Sequence, residues 1–355
     1  MNLEVLEYLA CPVCKSGLGA GSSGPTVESG LLLCPGCNRD YPIIRGVPRL
    51  LPDSMMAVLA KQIPEDFAKF NFSFPLEKRT MRSDFETDLF LGKQTSTMNA
   101  FSYEWSNFTE FSPEFTKNEY VRTLAPFPPD IVKGKVMLEA GTGAGIFLEW
   151  FSRFGAKHVF AMNLGLDVES AAVHAKNFPN VTVIEGDIFH LPFKEKLDFV
   201  ISHGVVHHLP EPELGFQKLV SVLKPRGEIF IWVYGKDPIV PLIELLRTLL
   251  HRMPKPLVQA ICWFLAFPLL LSKIIYLAAD KVPFTRKYAS KVPYSQYAVR
   301  NYNEMQCTIM DKLFVPVVNY YDRPELEQWF RNAKLGAVTI SMRDGNSWSC
   351  YGRKI

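Results

Sequence analysis

A chain of 355 residues, 48% of them hydrophobic and 13% aromatic, can bury a sizeable core and is not a disordered protein. Its net charge of +3 is too small for the chain as a whole to track a polyanion, which argues against nucleic acid as a partner. Seven cysteines, four of them in the first 40 residues, do not make the even framework of a secreted disulfide protein. The opening MNLEVLEYLACPVC has no basic stretch leading into an apolar run, so a cytoplasmic location is expected.

The first element is a metal site. Cys11-Pro-Val-Cys14 and Cys34-Pro-Gly-Cys37 are two CxxC pairs separated by nineteen residues. Each pair offers two thiolates from one tight turn, and two such turns complete a tetrahedron around zinc. A redox dithiol needs only one pair, and a catalytic zinc needs an open position that four cysteines do not leave. With the ending Tyr41-Pro-Ile-Ile-Arg-Gly-Val-Pro48, residues 3–52 resemble the Trm112-like zinc ribbons, which often accompany or activate methyltransferases. Charges in the ribbon cancel, Lys15, Arg39, Arg45 and Arg49 against Glu4, Glu7, Glu28 and Asp40, and a neutral ribbon is a poor phosphate binder, so scaffolding is expected more than RNA capture. We place this domain at 1–52.

Residues 53–133 read as an aromatic-rich linker and helical cap. Phe67, Phe70, Phe72, Phe74, Phe85, Phe90, Phe101, Tyr103, Trp105, Phe108 and Phe111 crowd the segment. Core packing explains such rings most simply; roofing a ligand pocket is the functional alternative. Phe101-Ser-Tyr-Glu-Trp105 resembles an aromatic motif that precedes the catalytic domain in many small-molecule methyltransferases.

From residue 134 the chain alternates short apolar strands with helical runs. Lys135–Ala140 is a strand, Gly141-Thr-Gly-Ala-Gly145 a glycine turn, and Ile146–Phe154 a helix. Strands at 157–163, 181–187, 197–202 and 228–234 follow, with helices at 168–177 and 213–223. This is the βαβα order of a parallel sheet covered on both faces. Pro324–Leu335 is an amphipathic helix, and 337–342 and 348–352 flank the turn-forming Asp344-Gly-Asn-Ser347. The expected fold is therefore α/β: a Rossmann-like sheet, parallel with a final antiparallel strand, over 134–235 and 323–355, plus the ribbon and a helical lid insert.

Glu139-Ala-Gly-Thr-Gly-Ala-Gly145 departs from the dinucleotide spacing GxGxxG and resembles motif I of the class I methyltransferases. Gly186–Phe193, Gly204–Leu209 and Leu223–Glu228 complete a resemblance to their type 11, ubiquinone-biosynthesis-like branch. The resemblance implies S-adenosylmethionine as cofactor. It implies that Glu139, Gly141, Thr142, Gly143 and Gly145 hold its methionine end. Asp187 would accept from the adenine amino group beside Ile188, and His203 would touch the methionine end through its backbone. The plain alternative for Asp187 is a helix N-cap. Asn163 stands where the family has an acidic ribose ligand. It, or Asp167, is expected to take that role, and Asn163→Asp is expected to tighten binding through a charged acceptor. Direct displacement needs positioning more than acid–base groups, but an oxygen or nitrogen acceptor needs a base, for which His207 and His208 are the candidates.

Residues 236–322 are the lid insert. In such sheets ligands bind beyond the strand C-termini, so an insert after the fifth strand leaves from the rim of the site. It holds eleven Lys or Arg against six Asp or Glu. Residues 257–279 are apolar enough to span a bilayer, but both insert ends return to one face, and Pro268 and Lys273 interrupt the run. A buried or interfacial helix pair is expected. An apolar, basic lid suits a lipid-like or anionic small molecule and peripheral contact with a membrane. The expected function is methyl transfer to a hydrophobic or lipid-linked acceptor. The alternatives are an rRNA or tRNA base methyltransferase and a non-catalytic cofactor-binding scaffold.

Overall fold

The computed structural model describes residues 1–21, 24–72, 85–108, 111–250, 252–289, 291–292, 295, 298 and 300–355. Phe74 lies outside these residues, as does the side chain of Phe85. The N-terminal strands are β1 (Gly19–Ala20), β2 (Gly30–Leu33), β3 (Asp40–Ile44) and β4 (Val47–Leu50). Four helices follow: α1 (Asp53–Gln62), α2 (Pro64–Phe67), α3 (Phe85–Asn107) and α4 (Pro113–Leu124).

The central unit runs β5 (Val136–Ala140), α5 (Leu148–Arg153), β6 (His158–Asn163), α6 (Val168–Ala175), β7 (Val181–Gly186), β8 (Leu197–His203), α7 (Pro212–Ser221) and β9 (Leu223–Tyr234). All five residues of β5 are buried, as expected of a strand covered on both faces. The insert contributes α8 (Val240–Leu250), α9 (Lys255–Lys281), α10 (Arg286–Ala289) and α11 (Tyr302–Phe314). The chain ends with α12 (Arg323–Asn332), β10 (Leu335–Arg343) and β11 (Ser347–Lys354). Asp322 and Glu325 form a reciprocal capping box that starts α12. The β10–β11 turn places Asp344 and Gly345 at φ 52° and 74°, the left-handed conformation that this turn composition favours.

One sheet of eleven strands results, in the order β1-β2-β3-β4-β7-β6-β5-β8-β9-β11-β10. Strands β7, β6, β5, β8 and β9 are parallel, and β11 enters antiparallel beside β9. This is the Rossmann-like methyltransferase sheet that the motif order implied. The ribbon extends it: β4 pairs in parallel with β7, with Arg49 opposite Glu185. Arg49 is fully buried, and its guanidinium donates to Glu185 at 2.9 Å and to Glu169. Further contacts fix the seam. Ala10 N donates to Pro192 O at 2.9 Å, Lys15 Nζ donates to Leu191 O at 2.8 Å, and the Tyr8 and Phe160 rings lie 5.6 Å apart.

The insert departs from expectation in one respect. Instead of a helix pair broken at Pro268, residues 255–281 form one continuous helix. Pro268 removes one backbone donor there, but its neighbour Phe264 is 68% exposed, so water can reach the freed carbonyl. Among the described residues α9 is the one helix long and apolar enough to cross a membrane, and only 17% of its most apolar stretch is buried. Val258, Cys262 and Ala266 face the protein. Phe264, Phe267, Leu271, Ile274 and Ile275 make an outward apolar face.

Candidate functional site

In the ribbon, the four sulfurs of Cys11, Cys14, Cys34 and Cys37 lie within 4.8 Å of one another. Three of the separations are 3.6 Å (Cys11–Cys37), 3.4 Å (Cys14–Cys34) and 3.5 Å (Cys37–Cys34). Zn–S bonds of about 2.3 Å in a tetrahedron put sulfurs roughly 3.8 Å apart, so the donor set fits zinc. Gly36 is required: a Cβ there would sit 2.2 Å from Ser16 Oγ and 3.2 Å from Cys14 Sγ. Tyr41, fully buried, places its hydroxyl 3.0 Å from Cys11 Sγ, a donor that steadies a thiolate ligand.

The second site is a cavity of about 320 Å³ at the C-terminal ends of the parallel strands. Glu139, Gly141, Thr142, Gly143, Asn163, Asp187, Ile188, His203 and His208 all line it. Gly141 and Gly143 have φ of 88° and 54°. A Cβ on Gly141 would fall 2.1 Å from Val205, and one on Gly143 would fall 2.8 Å from the Trp105 ring. These positions need glycine for both conformation and space. Gly145 (φ 80°) packs its backbone on α6 instead of lining the cavity, since a Cβ there would lie 3.2 Å from Ala171 Cα.

Glu139 is buried and accepts from Thr142 Oγ1 at 2.6 Å. Burial pushes its carboxyl up to about 8. Asp187 caps the turn at 188–190, as the plain reading held, accepting from Phe189 N at 3.0 Å. Its carboxylate also takes Gln94 Nε2 and His190 Nδ1, each at 2.8 Å. Three donors leave room for one more on a carboxylate.

Thr123 Oγ1 accepts from Arg343 Nη1 at 3.1 Å and shares a hydrogen bond of 3.1 Å with His203 Nε2. The His203 ring is flanked by Phe147 and Trp232 at 5.2 and 4.8 Å. Burial, with Arg343, Arg122 and Arg300 nearby, pushes it down to about 3, so it is neutral.

The two candidate bases separate. His208 lines the cavity, and its Nδ1 donates to Val317 O at 2.8 Å, which leaves Nε2 as the lone-pair nitrogen, 3.8 Å from Asp311 Oδ1. His207 sits behind it, its ring 4.1 Å from that of Tyr234, and it is not among the residues lining the cavity.

Sequence reading missed much of the wall. Phe101, Trp105, Phe111 and Phe115 roof the cavity, so part of the aromatic segment does face it. Phe67 and Phe108 are core residues instead. Arg122, Arg300 and Arg343 converge from three distant segments, which no local spacing could signal.

Comparison with known proteins agrees with this geometry. Residues 138–231 match the family described as a methyltransferase domain, and residues 2–46 match the Trm112p-like protein family. The chain thus carries an S-adenosylmethionine-dependent methyltransferase domain joined to a Trm112p-like domain. It is 33% identical over 104 residues to the tRNA U34 carboxymethyltransferase of Ruthia magnifica, covering 28% of this chain and 33% of that relative. It is 28% identical over 132 residues to the ubiquinone biosynthesis O-methyltransferase of Neisseria meningitidis serogroup C, covering 35% and 55%. A SAM-dependent methyltransferase from Aquifex aeolicus superposes with a TM-score of 0.39 at 16% identity, covering 69% of this chain and 100% of that one. The chain thus spans about a third to a half of the length of these curated relatives.

Asn163 Nδ2 donates to the Asp167 carboxylate, which also accepts from Ser102 Oγ at 3.0 Å. One N–H of the amide is engaged there, which leaves the other N–H and the amide oxygen for a ligand. This contact argues against the expected benefit of Asn163→Asp. A carboxylate at 163 would meet that of Asp167, itself already pushed up to about 7 by burial. Two carboxylates in contact favour sharing one proton. Asn163→Asp should therefore bind S-adenosylhomocysteine about three- to tenfold more weakly than wild type at pH 8, and close to wild type at pH 6. Calorimetry at the two pH values checks this, and tighter binding at pH 8 would contradict it.

Proposed function

We propose that this protein transfers a methyl group from S-adenosylmethionine to a hydrophobic or lipid-linked small molecule, drawn from a membrane surface that it touches peripherally. The insert carries this reading. It lends Ile239, Val240, Ile243 and Cys307 to the cavity wall, while α9 of the same insert leaves an apolar face open. Exposed Arg252, Lys281, Arg286 and Lys287 flank that face, a pattern suited to an anionic interface. The protein would then be cytoplasmic and membrane-associated.

The cofactor supplies a sulfonium-activated methyl. Glu139 would hold its ammonium, Asn163 its ribose, and Asp187 with Ile188 its adenine. His208, neutral and with Nε2 free, would take the proton of an oxygen or nitrogen acceptor. Because Glu139 is protonated below about 8 in the free protein, pairing with an ammonium must expel that proton. Affinity for S-adenosylhomocysteine should rise with pH up to about 8, approaching tenfold per unit, and calorimetry in buffers of different ionisation enthalpy should show close to one proton released. A pH-independent affinity would remove Glu139 from the ammonium site.

Incubation with methyl-labelled cofactor and separated lipid, small-molecule and RNA fractions tests the whole reading. Label in the lipid or small-molecule fraction is expected. The similarity to a tRNA-modifying enzyme supports a second reading, an RNA base, which label confined to RNA would select. Cofactor binding without transfer to any fraction would favour the scaffold.

A further inference from the structure

We infer that the methyl acceptor presents an amine to the wall formed by Glu104, His208 and Asp311, so that nitrogen is the atom methylated. The inference rests on the proposed methyl transfer and names the acceptor atom.

The three groups come from separate elements and line one cavity. Glu104, on α3, is 1% exposed. Its Oε1 accepts from the Cys307 thiol at 3.1 Å, while its Oε2 makes no hydrogen bond among the described residues. Cys307 and Asp311 are four apart on α11 and so share a face. Asp311 Oδ2 accepts from the Tyr234 hydroxyl, and its Oδ1 stands 3.8 Å from His208 Nε2. That nitrogen also makes no hydrogen bond among the described residues. With Nδ1–H given to Val317 O, Nε2 carries a lone pair, so it and Oδ1 are two acceptors facing one another with no hydrogen between them. The wall lies beside the glycine turn. Trp105, next to Glu104, stands against Gly143, and Phe101, one turn earlier, packs its ring 5.0 Å from that of His208.

Two properties of this wall select an amine. The first is the number of hydrogens it lacks. A hydroxyl brings one and serves one acceptor, whereas an amine brings two and an ammonium three. The second is basicity. Burial, and then the charge of Asp311, hold the Glu104 carboxyl well above the usual carboxylate range, so it is protonated in the free protein. An amine can take that proton and leave an ion pair in its place; an alcohol cannot. Lys312 lines the same cavity, and Arg247 and Arg300 lie within electrostatic reach, so net charge does not single out a cation. The missing donors do, because none of these cations serves Glu104 Oε2 or His208 Nε2. Bound as an ammonium, the acceptor passes one N–H proton to His208 Nε2, where Asp311 stabilises the imidazolium. The freed lone pair forms the N–C bond as the C–S pair returns to sulfur, and the positive charge moves onto a nitrogen flanked by Glu104 and Asp311.

Calorimetry on the full chain saturated with S-adenosylhomocysteine tests this, with octylamine against octanol as probes. Octylamine should bind at least about tenfold more tightly, the difference between a charge-assisted and a neutral hydrogen bond. Glu104→Gln should weaken octylamine about tenfold, with octanol and S-adenosylhomocysteine affinity within twofold as the sign that the fold is intact. Asp311→Asn, at a partly exposed position that tolerates replacement, should weaken octylamine about threefold or more. Equal binding of the two probes by the wild type, or an amine preference that survives both substitutions, would overturn the inference. So would a parallel loss of S-adenosylhomocysteine in the two variants, which would assign the carboxylates to the cofactor's own ammonium. Loss of S-adenosylhomocysteine binding by the wild type would instead sink the methyl-transfer reading itself.

Discussion

Chelation of zinc is expected to unfold residues 2–50 and to lower the melting temperature of the remaining domain by roughly 10 °C or more. The ribbon has four short strands and no core that would survive alone, so its metal supplies the folding energy. Structural zinc contributes on the order of 10–16 kcal/mol in small finger peptides. Once the ribbon opens, β4 leaves the edge of β7 and Arg49 leaves Glu185, so the main sheet loses its neighbour. Metal analysis should find about one zinc per chain in the wild type and less in Cys34→Ser. Amide exchange should show protection lost across β2–β4. A chelated sample that melts within 2 °C of the holoprotein, with the ribbon still protected, would refute the structural role.

Much of this was legible beforehand, for identifiable reasons. The double CxxC fixes its own chemistry, because four soft ligands in two tight turns have few other uses. The glycine turn after Glu139 and the strand–helix alternation are short-range signals, and the parallel sheet followed from them, though not its extension by the ribbon. What was hidden depends on distance along the chain. Arg49 looked like one of four basic ribbon charges cancelled by four acidic ones, yet it is among the largest fully buried side chains, facing Glu185 across 136 positions. Asn163 read as a lone departure from an acidic residue. Its meaning came from Asp167, four residues on at the start of α6, and from Ser102 on a separate helix. The arginine cluster draws Arg122, Arg300 and Arg343 from α4, the insert and β10. The continuity of α9 through Pro268 was misread because a proline breaks a buried helix more readily than a solvated one.

Arg49→Ala is expected to destabilise the protein by about 3–5 kcal/mol, because it strips a buried carboxylate of its partner instead of removing a pair. Glu185 is 1% exposed. Burial is the main reason its carboxyl sits high, at about 7, with Arg49 pulling in the other direction. The sign of the pH dependence follows. A folded pKa above the unfolded 4.5 means that the protonated form contributes stability, fully present below 4.5 and lost as pH rises through about 7. Without Arg49 the folded pKa moves higher still. Wild type and variant should therefore differ least near pH 5, where Glu185 is protonated in both folded states, and most at pH 8, where only the wild type offers the ion a partner. Urea denaturation at the two pH values measures this difference. The double variant Arg49→Met, Glu185→Gln separates the causes. It should recover most of the loss and flatten the pH dependence, since a buried pair replaced by neutral groups of similar volume costs little. A deficit equal at pH 5 and pH 8, and unrelieved in the double variant, would mean that Arg49 holds the seam by packing its stem and not by charge.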